Sequence, residues 1–389
     1  IGNSLDEVAA SLRAGHSGIE CVPERREMRF HSALSGTLKN LPELQLPKRN
    51  MRQMGRGGNL AVCAAGQALR DAALSEERLS DGRTGIVIGN SGNMLEIFDQ
   101  CNDFYQKKRR LPGTALQRVM ASTVSANLSV LFGTRGCCMT VSTACASGAT
   151  AVGTAFQFIR SGLQDCMICG GVQDNSWAYD CHFDALRVFS KREDEPTKAS
   201  RPFDRFRDGL VPSGGSGIVI LEEYERAISR GAHIHAELIG FGTNSDGLDM
   251  TTPSGTGSME CIRLALRDAG IDPSKVDYVN AHATSTLVGD EAEARAIAET
   301  MGGRPYVSST KSMTGHEIGT AGSSELIYTI LMMRDGFIAP SINVEEVDPE
   351  CKGINLVANH AIDFQMRIAI SNSFGFGGVN TCLLVKNLR

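Results

Sequence analysis

The chain has 389 residues, enough for two or three domain-sized units or for one large α/β protein. Hydrophobic residues make up 42% of it and charged residues 21%, a composition typical of a globular chain with a sizeable core. The net charge of −5 argues against nucleic acid as a partner, and no apolar run approaches the ~20 residues that a membrane span needs. The 12 cysteines, mostly within apolar runs, are typical of reduced cytoplasmic thiols and not of a disulfide framework.

Helices and strands alternate along the first half of the chain. Ser4 is predicted to cap a helix that runs to about Arg13, and residues 17–50 are expected to be irregular. Because the chain opens in a loop that leads directly into this helix, we expect a further strand before Ile1. The other elements predicted here are a helix over 54–74, a strand over 85–89, a surface helix or loop over 98–110, a helix over 123–132, a strand over 137–141, a helix over 146–159, strands over 165–171 and 218–222, and a helix over 224–230.

The second half repeats this alternation. Strands are predicted over 233–241, 276–280 and 305–308 and near 354–357, 367–372 and 380–386, with helices over 258–269, 289–301 and 321–334. Helices that alternate with strands favour an α/β fold. The similar order of elements in the two halves permits an internal structural duplication.

Cys145 lies where the strand over 137–141 turns into the helix over 146–159. The free N–H groups and the dipole at the start of a helix favour an anion. We therefore expect a lowered pKa for the Cys145 thiol and a role as nucleophile. The competing interpretation is an ordinary buried cysteine, because free cysteine is among the most buried residue types.

Three further loops carry candidate catalytic residues, each next to a predicted strand. His282 follows the strand over 276–280, Lys311 and His316 follow the strand over 305–308, and a glycine-rich turn at 374–378 lies between the last two strands. Active sites of α/β sheets lie at the carboxyl ends of strands. One histidine alone is often an ordinary core residue, but the combination predicts an active site. The turn lacks the GxGxxG spacing and context of a dinucleotide loop.

Two motifs resemble metal ligands only superficially. Cys166 and Cys169 form a CxxC, but apolar residues separate them and no second pair lies nearby, so a buried strand explains them. His233 and His235 are predicted to lie on one face of a strand without a third ligand. We expect no metal site.

Four segments, 143–148, 280–286, 311–316 and 372–378, resemble in order and approximate spacing the signatures of the elongating β-ketoacyl-acyl carrier protein synthases. Stretches similar to the synthase I branch of that family lie at 199–204, 207–209, 230–237, 252–255 and 336–343. The departures, at Ala281, Ala283 and Val379, leave the catalytic side chains untouched.

The resemblance implies the thiolase fold: an α/β chain with two similar halves stacked as α-β-α-β-α, each containing a five-strand mixed sheet. The N-terminal half would span residues 1–235 and carry the nucleophile, and the C-terminal half would span 236–389 and carry both histidines. A cytoplasmic homodimer that contributes to fatty-acid elongation is also implied.

The activity that the resemblance implies is a decarboxylative Claisen condensation of malonyl-acyl carrier protein with an acyl chain held on Cys145, which lengthens fatty acids by two carbons. His282 and His316 would stabilise the enolate as neutral donors, and Lys311 and Glu325 would hold the site electrostatically and position His316. The backbone N–H groups of Cys145 and Phe376 would form the oxyanion hole, with Phe376 also gating the acyl pocket.

The remaining implied contacts concern the substrate and its carrier. No cofactor is expected, because the acyl and malonyl thioesters arrive on the phosphopantetheine arm of acyl carrier protein. The residues expected to bind that arm and the substrate are Thr284, Thr286, Phe374, Gly375 and Gly377. The basic residues expected to dock the acidic carrier protein are Lys48, Arg49, Arg52 and Arg118, for which a solvated surface is the competing interpretation.

Other activities compatible with this scaffold differ in single features. A thiolase would need a second cysteine in the turn at 372–380, an initiating condensing enzyme would have Asn for one histidine, and a chain-length partner would lack Cys145. A binding module or lipid carrier would not need all three catalytic residues. A polyketide or aryl-polyene ketosynthase stays open, because its catalytic residues are the same and only its pocket differs.

Overall fold

The computed structural model describes residues 1–388 of the chain. Its strands, numbered β1–β14 in chain order, are Ile19–Cys21, Leu34–Gly36, Thr84–Asn90, Cys138–Val141, Cys166–Gln173, Gly215–Glu222, Glu237–Ser245, Tyr278–Asn280, Tyr306–Ser308, Phe337–Ile338, Asn355–Leu356, Ile362–Asp363, Ile368–Gly375 and Val379–Lys386.

The α-helices within the same residues are numbered α1–α15 in chain order. They are Leu5–Ala14, Pro23–Glu27, Lys48–Gln53, Arg56–Ala72, Glu76–Ser80, Met94–Tyr105, Ala115–Val119, Thr123–Phe132, Ser147–Arg160, Trp177–Ala185, Tyr224–Ser229, Thr256–Ala269, Leu287–Met301, Lys311–Thr314 and Ala321–Asp335. Short 3-10 helices lie at Pro196–Lys198, Pro273–Lys275, Ile318–Thr320 and Pro349–Cys351.

Two sheets and three helical layers form the expected α-β-α-β-α stack. Helices α4 and α8 cover the outer face of the first sheet, and α12 covers the outer face of the second. Helices α9 and α15 lie side by side between the sheets. The core at this central layer includes Val152 of α9, Met332 of α15, Val87 of β3 and Leu383 of β14, so both sheets bury apolar faces against the same pair of helices.

The two sheets share a common strand order, which supports two similar halves. The first sheet has the order β4-β3-β5-β6, and within the second the order β9-β8-β13-β14 repeats it. In each set the first three strands are parallel and the last is antiparallel to its neighbour. The internal duplication that the element order permits is therefore present in the fold.

The prediction of five strands in each sheet is wrong for the residues that the structure describes. The first sheet has four strands and the second has six. The second sheet is larger because β7 pairs antiparallel with β14 at one edge and the two-residue β11 pairs with β9 at the other. The boundary at residue 235 stays a prediction; the first sheet ends at Glu222 and the second begins at Glu237.

The structure also corrects three local predictions. Residues 17–50 are not irregular throughout, because β1 and β2 pair antiparallel across the short helix α2. Helix α10 was not predicted. Strand β7 begins at Glu237, so His233 and His235 precede it; their rings pack edge to face, with centroids 4.7 Å apart, and His235 Nε2 contacts Asp71 Oδ2 at 2.8 Å.

Most other elements lie close to their predicted positions. Helix α8 coincides with the predicted 123–132, and Ser4 caps α1 by accepting a hydrogen bond from Glu7 N. Among residues 1–388, no helix combines the length and the apolar character that a membrane crossing requires.

Candidate active site

Cys145 occupies a sharp turn between β4 and α9. Ala144, just before it, has φ 49°, a backbone conformation that a residue with a side chain rarely adopts. Ser147 stabilises the turn, because its Oγ accepts from Thr143 N at 2.9 Å and donates to Ala144 O at 2.6 Å. The strained residue next to the sulfur is typical of a functional turn.

The pKa of the Cys145 thiol is raised to about 11, so the expected lowering is wrong. Burial is the main cause: the residue is only 4% exposed, and desolvation penalises the thiolate. The charge of Lys311 and the N–H groups of Phe376 and Cys145 act in the opposite direction but do not offset burial. The free enzyme therefore holds Cys145 as a thiol.

The glycine turn meets the nucleophile through backbone. A Cβ on Gly375, at the end of β13, would lie 2.7 Å from Thr143 O and 3.2 Å from Cys145 N. Only glycine permits this approach. It lets the Phe376 N–H bond the Cys145 sulfur, so two backbone N–H groups, of Phe376 and of Cys145, converge on the sulfur.

His282 and His316 lie together from separate loops. His282 follows β8 and His316 follows α14, and their ring centroids are 5.2 Å apart at an interplanar angle of 86°. They are 8% and 2% exposed. The loops are fixed by backbone bonds, since His316 N donates to Val211 O at 2.7 Å and His282 N donates to Glu293 Oε1 at 2.9 Å.

Both imidazoles are neutral at physiological pH. Burial, and then the positive charge of Lys311, lowers the pKa of His282 and of His316 well below its ordinary value, and His316 adds to the effect on His282. Each ring therefore has one N–H to donate. Neither Nδ1 atom has a hydrogen-bond partner among residues 1–388.

Lys311 and Glu325 form a buried ion pair beside the histidines. Lys311 Nζ donates to Glu325 Oε1, and the two residues are 1% and 2% exposed. Burial raises the pKa of Glu325 to about 8, against the lowering effect of Lys311. No hydrogen bond joins either residue to His316 within the part of the chain that the structure describes, and the effect of Lys311 on His316 is electrostatic.

Glu293 is a site residue that the sequence analysis missed. Its Oε1 accepts from His282 N and its Oε2 accepts from Ala283 N at 2.7 Å, while Asn372 Nδ2 donates to Oε1 at 2.9 Å. The carboxylate thus joins the His282 loop to the strand that leads to Phe376. A glutamate in the predicted helix over 289–301 was not distinguishable from a surface residue.

Phe374 and Phe376 of the glycine turn contact different aromatic rings. The Phe374 ring lies 6.0 Å from the ring of His282, and the Phe376 ring stacks on Phe183 with centroids 5.6 Å apart. Gly377 adopts φ 83° and lets the turn change direction. The Cys145 sulfur is almost fully covered in this arrangement.

Thr284 and Thr286 lie side by side on the His282 loop, both half-buried, with their Oγ1 atoms 3.1 Å apart. Ser285 between them adopts φ 71°, and its backbone N donates to Asp290 Oδ1 at 3.1 Å. The two hydroxyls therefore stand on a rigid loop next to a catalytic candidate.

The four basic docking candidates share one surface. Lys48, Arg49 and Arg52 are exposed on α3, which packs beside α7. Arg118 on α7 is committed to Glu96, whose carboxylate it contacts at 2.8 Å. An exposed basic run at 107–110 was not singled out from the sequence.

The remaining candidates lie away from this cluster. Cys166 and Cys169 are fully buried in β5, as a core strand requires.

Two cavities, of about 1550 and 660 Å³, have none of the catalytic candidates Cys145, His282 and His316 in their walls. The larger one runs along β6.

The fold and this site are those of a condensing enzyme, and the chain belongs to the beta-ketoacyl synthase family. The family's N-terminal domain, described as "Beta-ketoacyl synthase, N-terminal domain", matches residues 1–227, and its C-terminal domain matches residues 235–345. The expectation drawn from the four signature segments is thus confirmed.

Curated relatives and solved structures agree with this assignment. The chain is 43% identical to 3-oxoacyl-[acyl-carrier-protein] synthase 1 of Haemophilus influenzae, over 99% of the chain and 96% of the relative. It superposes on the crystal structure of a beta-ketoacyl synthase from Burkholderia phymatum with a TM-score of 0.95 and 38% identity, over 99% and 96% of the two chains. A type II polyketide ketosynthase in complex with its acyl-carrier protein gives 0.90 and 28%, with the same coverage.

Proposed function

We propose that the chain extends acyl groups by decarboxylative condensation with malonyl-acyl carrier protein, as an elongating synthase of fatty-acid biosynthesis. The proposal rests on two neutral imidazoles 5.2 Å apart and a buried thiol that two backbone N–H groups approach, with the charge of Lys311 acting on the thiol and on both rings. One pair of donors serves each of the two oxyanions that the reaction forms.

The first step moves the acyl chain to Cys145. The sulfur forms a thioester bond with the acyl carbon, the bond to the pantetheine sulfur breaks, and the thiol proton ends on the departing thiol. Because burial keeps Cys145 protonated, the proton leaves as the carbon–sulfur bond forms. The Phe376 and Cys145 N–H groups and the charge of Lys311 stabilise the negative charge in that step.

The second step creates the nucleophilic carbon. Malonyl thioester loses carbon dioxide, and the electron pair of the broken bond moves onto the thioester oxygen as an enolate. His282 and His316 each donate an N–H to that oxygen. Burial, and then the charge of the nearby Lys311 ammonium, keeps both rings neutral, so each ring has one N–H to donate.

The third step forms the carbon–carbon bond. The enolate carbon attacks the Cys145 thioester, the N–H groups of Cys145 and Phe376 receive the tetrahedral oxyanion, and collapse expels the Cys145 sulfur. The product is a β-ketoacyl chain two carbons longer on the carrier protein. Thr284 and Thr286, whose hydroxyls lie side by side on the His282 loop, would hydrogen-bond the pantetheine arm when each thioester arrives.

The proposed binding partners are acyl carrier protein and a second copy of the chain. The proposed location is the cytoplasm. The exposed basic residues of α3 and the run at 107–110 offer an acidic carrier protein complementary charge. The edge strand β4, which carries the exposed Cys138, offers a pairing surface for a second copy close to Cys145.

A ketosynthase of polyketide or aryl-polyene formation is the second candidate, favoured by the likeness to the polyketide ketosynthase. Incubation with malonyl- and acyl-carrier protein of graded chain length, with products identified by mass, tests both. Single extension of saturated acyl chains supports the first function. Repeated extension without reduction of the β-keto groups supports the second.

A further inference from the structure

An aromatic cluster borders Cys145 on the side where Phe376 lies. Phe183 of α10 stacks on Phe376 at 5.6 Å with an interplanar angle of 23°, and on Phe189 at 6.4 Å and 12°. Because the Phe376 N–H bonds the Cys145 sulfur, the stack begins at the nucleophile itself. An acyl chain bound to that sulfur is apolar and finds its apolar surroundings here.

Tyr179 is the one tyrosine in this cluster of the described residues. Its ring packs on Phe183 with centroids 5.7 Å apart, and its hydroxyl is in polar contact with Ser91. Ser91 in turn donates to Ala144 O at 3.3 Å, in the turn that holds Cys145. Tyr179 is thus connected to the nucleophile turn through Ser91 and to the gate through Phe183.

The Tyr179 side chain is half-buried in this cluster. Burial raises the pKa of Tyr179 to about 12. The phenol is therefore neutral at all working pH values. Its ring is a fixed wall: a phenylalanine there would lack the Ser91 contact, whereas the tyrosine is held at both ends.

We propose that Tyr179 is a specificity-determining residue that sets the upper length of acyl chain accepted on Cys145. This inference rests on the proposed function. When the Phe376 ring leaves Phe183, an acyl chain on the sulfur passes along Phe183 and meets the Tyr179 ring. Chains that end before the ring fit; longer chains must displace a side chain that Ser91 holds.

Tyr179→Ala and Tyr179→Phe test the proposal with the full chain. Acylation of Cys145 is followed by intact mass with acyl-carrier protein thioesters of graded length, and kcat/KM is compared between lengths. Tyr179→Ala is expected to shift preference toward longer chains, on the order of fourfold for each methylene newly accommodated. Tyr179→Phe keeps the ring and is expected to keep the parent's order of preference with a smaller shift.

Three results would overturn the proposal. One is an unchanged order of preference in Tyr179→Ala, with all lengths slowed equally. Another is an equal shift in both variants, which would assign selection to the hydroxyl. The third is a native chain that forms no acyl-enzyme with any length, which would remove the proposed function and this inference together.

Where Tyr179→Ala fails to fold, Tyr179→Leu opens part of the same space and must give part of the same shift.

Discussion

The imidazole rings of His282 and His316 stand almost perpendicular to each other, with centroids 5.2 Å apart, although the two residues come from different loops. Each ring is buried and neutral. Two neutral N–H donors at this separation can bond one oxygen between them, which is the arrangement that an enolate needs.

Replacement of either histidine should separate the two halves of the reaction. His282→Ala or His316→Ala removes one donor, and loss of one such donor reduces the rate about 10²–10³-fold. Release of carbon dioxide from malonyl-acyl carrier protein should fall by that factor. Acylation of Cys145, measured by intact mass, should persist because its oxyanion donors are the Cys145 and Phe376 N–H groups.

The matched control is His360→Ala, since His360 is exposed. It should leave both half-reactions at the native rate. The assignment of the two histidines is wrong if His282→Ala decarboxylates at the native rate but no longer acylates Cys145.

Disruption of the ion pair between Lys311 and Glu325 should destabilise the fold strongly. Above about pH 8, where Glu325 is ionised in the native chain, Lys311→Met leaves its carboxylate buried without its partner, which typically lowers the free energy of unfolding by about 3–5 kcal/mol. Urea unfolding measures the loss. The double variant Lys311→Met/Glu325→Leu should recover much of it, because no buried charge is left unpaired.

Arg267→Met offers the control for that experiment, because Arg267 and Glu260 form an exposed pair and should contribute little. An equal loss of stability in Lys311→Met and Arg267→Met would show that the buried pair contributes no more to the free energy of unfolding than the exposed pair does.

The histidines also predict a pH dependence of stability. Their folded pKa values are depressed, so below about pH 6.5 the unfolded chain binds protons that the folded chain excludes. Each histidine then lowers the free energy of unfolding by up to about 1.4 kcal/mol per pH unit as the pH falls. Carboxylates with raised pKa act with the opposite sign: Asp290, raised to about 7, and Glu325, raised to about 8.

A variant isolates the histidine contribution from those carboxylates. His316→Asn lacks one titrating imidazole, so its free energy of unfolding should fall less steeply than that of the native chain, by about 1.4 kcal/mol per pH unit between about pH 6 and pH 5. Parallel urea titrations at several pH values give the difference. Identical slopes would show that His316 is protonated in the folded state.

Charge reversal on α3 should weaken carrier-protein binding. Arg49→Glu with Arg52→Glu replaces attraction by repulsion at an exposed surface, and KM for acyl-carrier protein should rise roughly fivefold or more, since an exposed pair contributes up to about 1 kcal/mol. The effect should shrink with added salt. Arg263→Glu, at an exposed position of α12, is the control; an unchanged KM in the double variant would leave α3 as a solvated surface.

The sequence predicts elements well where a periodic pattern is long, and poorly where pairing partners are distant. Helix Thr123–Phe132 lies where its pattern places it, whereas the three-residue strands Ile19–Cys21 and Leu34–Gly36 have no period of their own and form only because they pair with each other. Strand Asn355–Leu356, predicted near 354–357, pairs with Tyr306–Ser308, and this pairing adds an edge strand to the second sheet.

The chemistry of the site divides in the same way. Residue type and loop position were sufficient to single out Cys145, His282 and His316, and the structure places His282 beside His316 and gives all three residues Lys311 as a charged neighbour. They were not sufficient for the pKa of Cys145, because burial is a property of the whole fold and outweighs the helix start. Glu293 was missed because no sequence pattern marks its partners. Two of them are backbone N–H groups of the His282 loop, and the third, Asn372, lies far away in the sequence.

The most direct measurement concerns Cys145 itself. The native chain and Cys145→Ala are incubated with an acyl-carrier protein thioester, and the acyl group is located by intact mass and peptide mapping. The native chain should gain one acyl group on the peptide that contains Cys145, and Cys145→Ala should gain none. An acyl group that persists on Cys145→Ala, or that maps to another residue of the native chain, would contradict the account of this sulfur as the nucleophile.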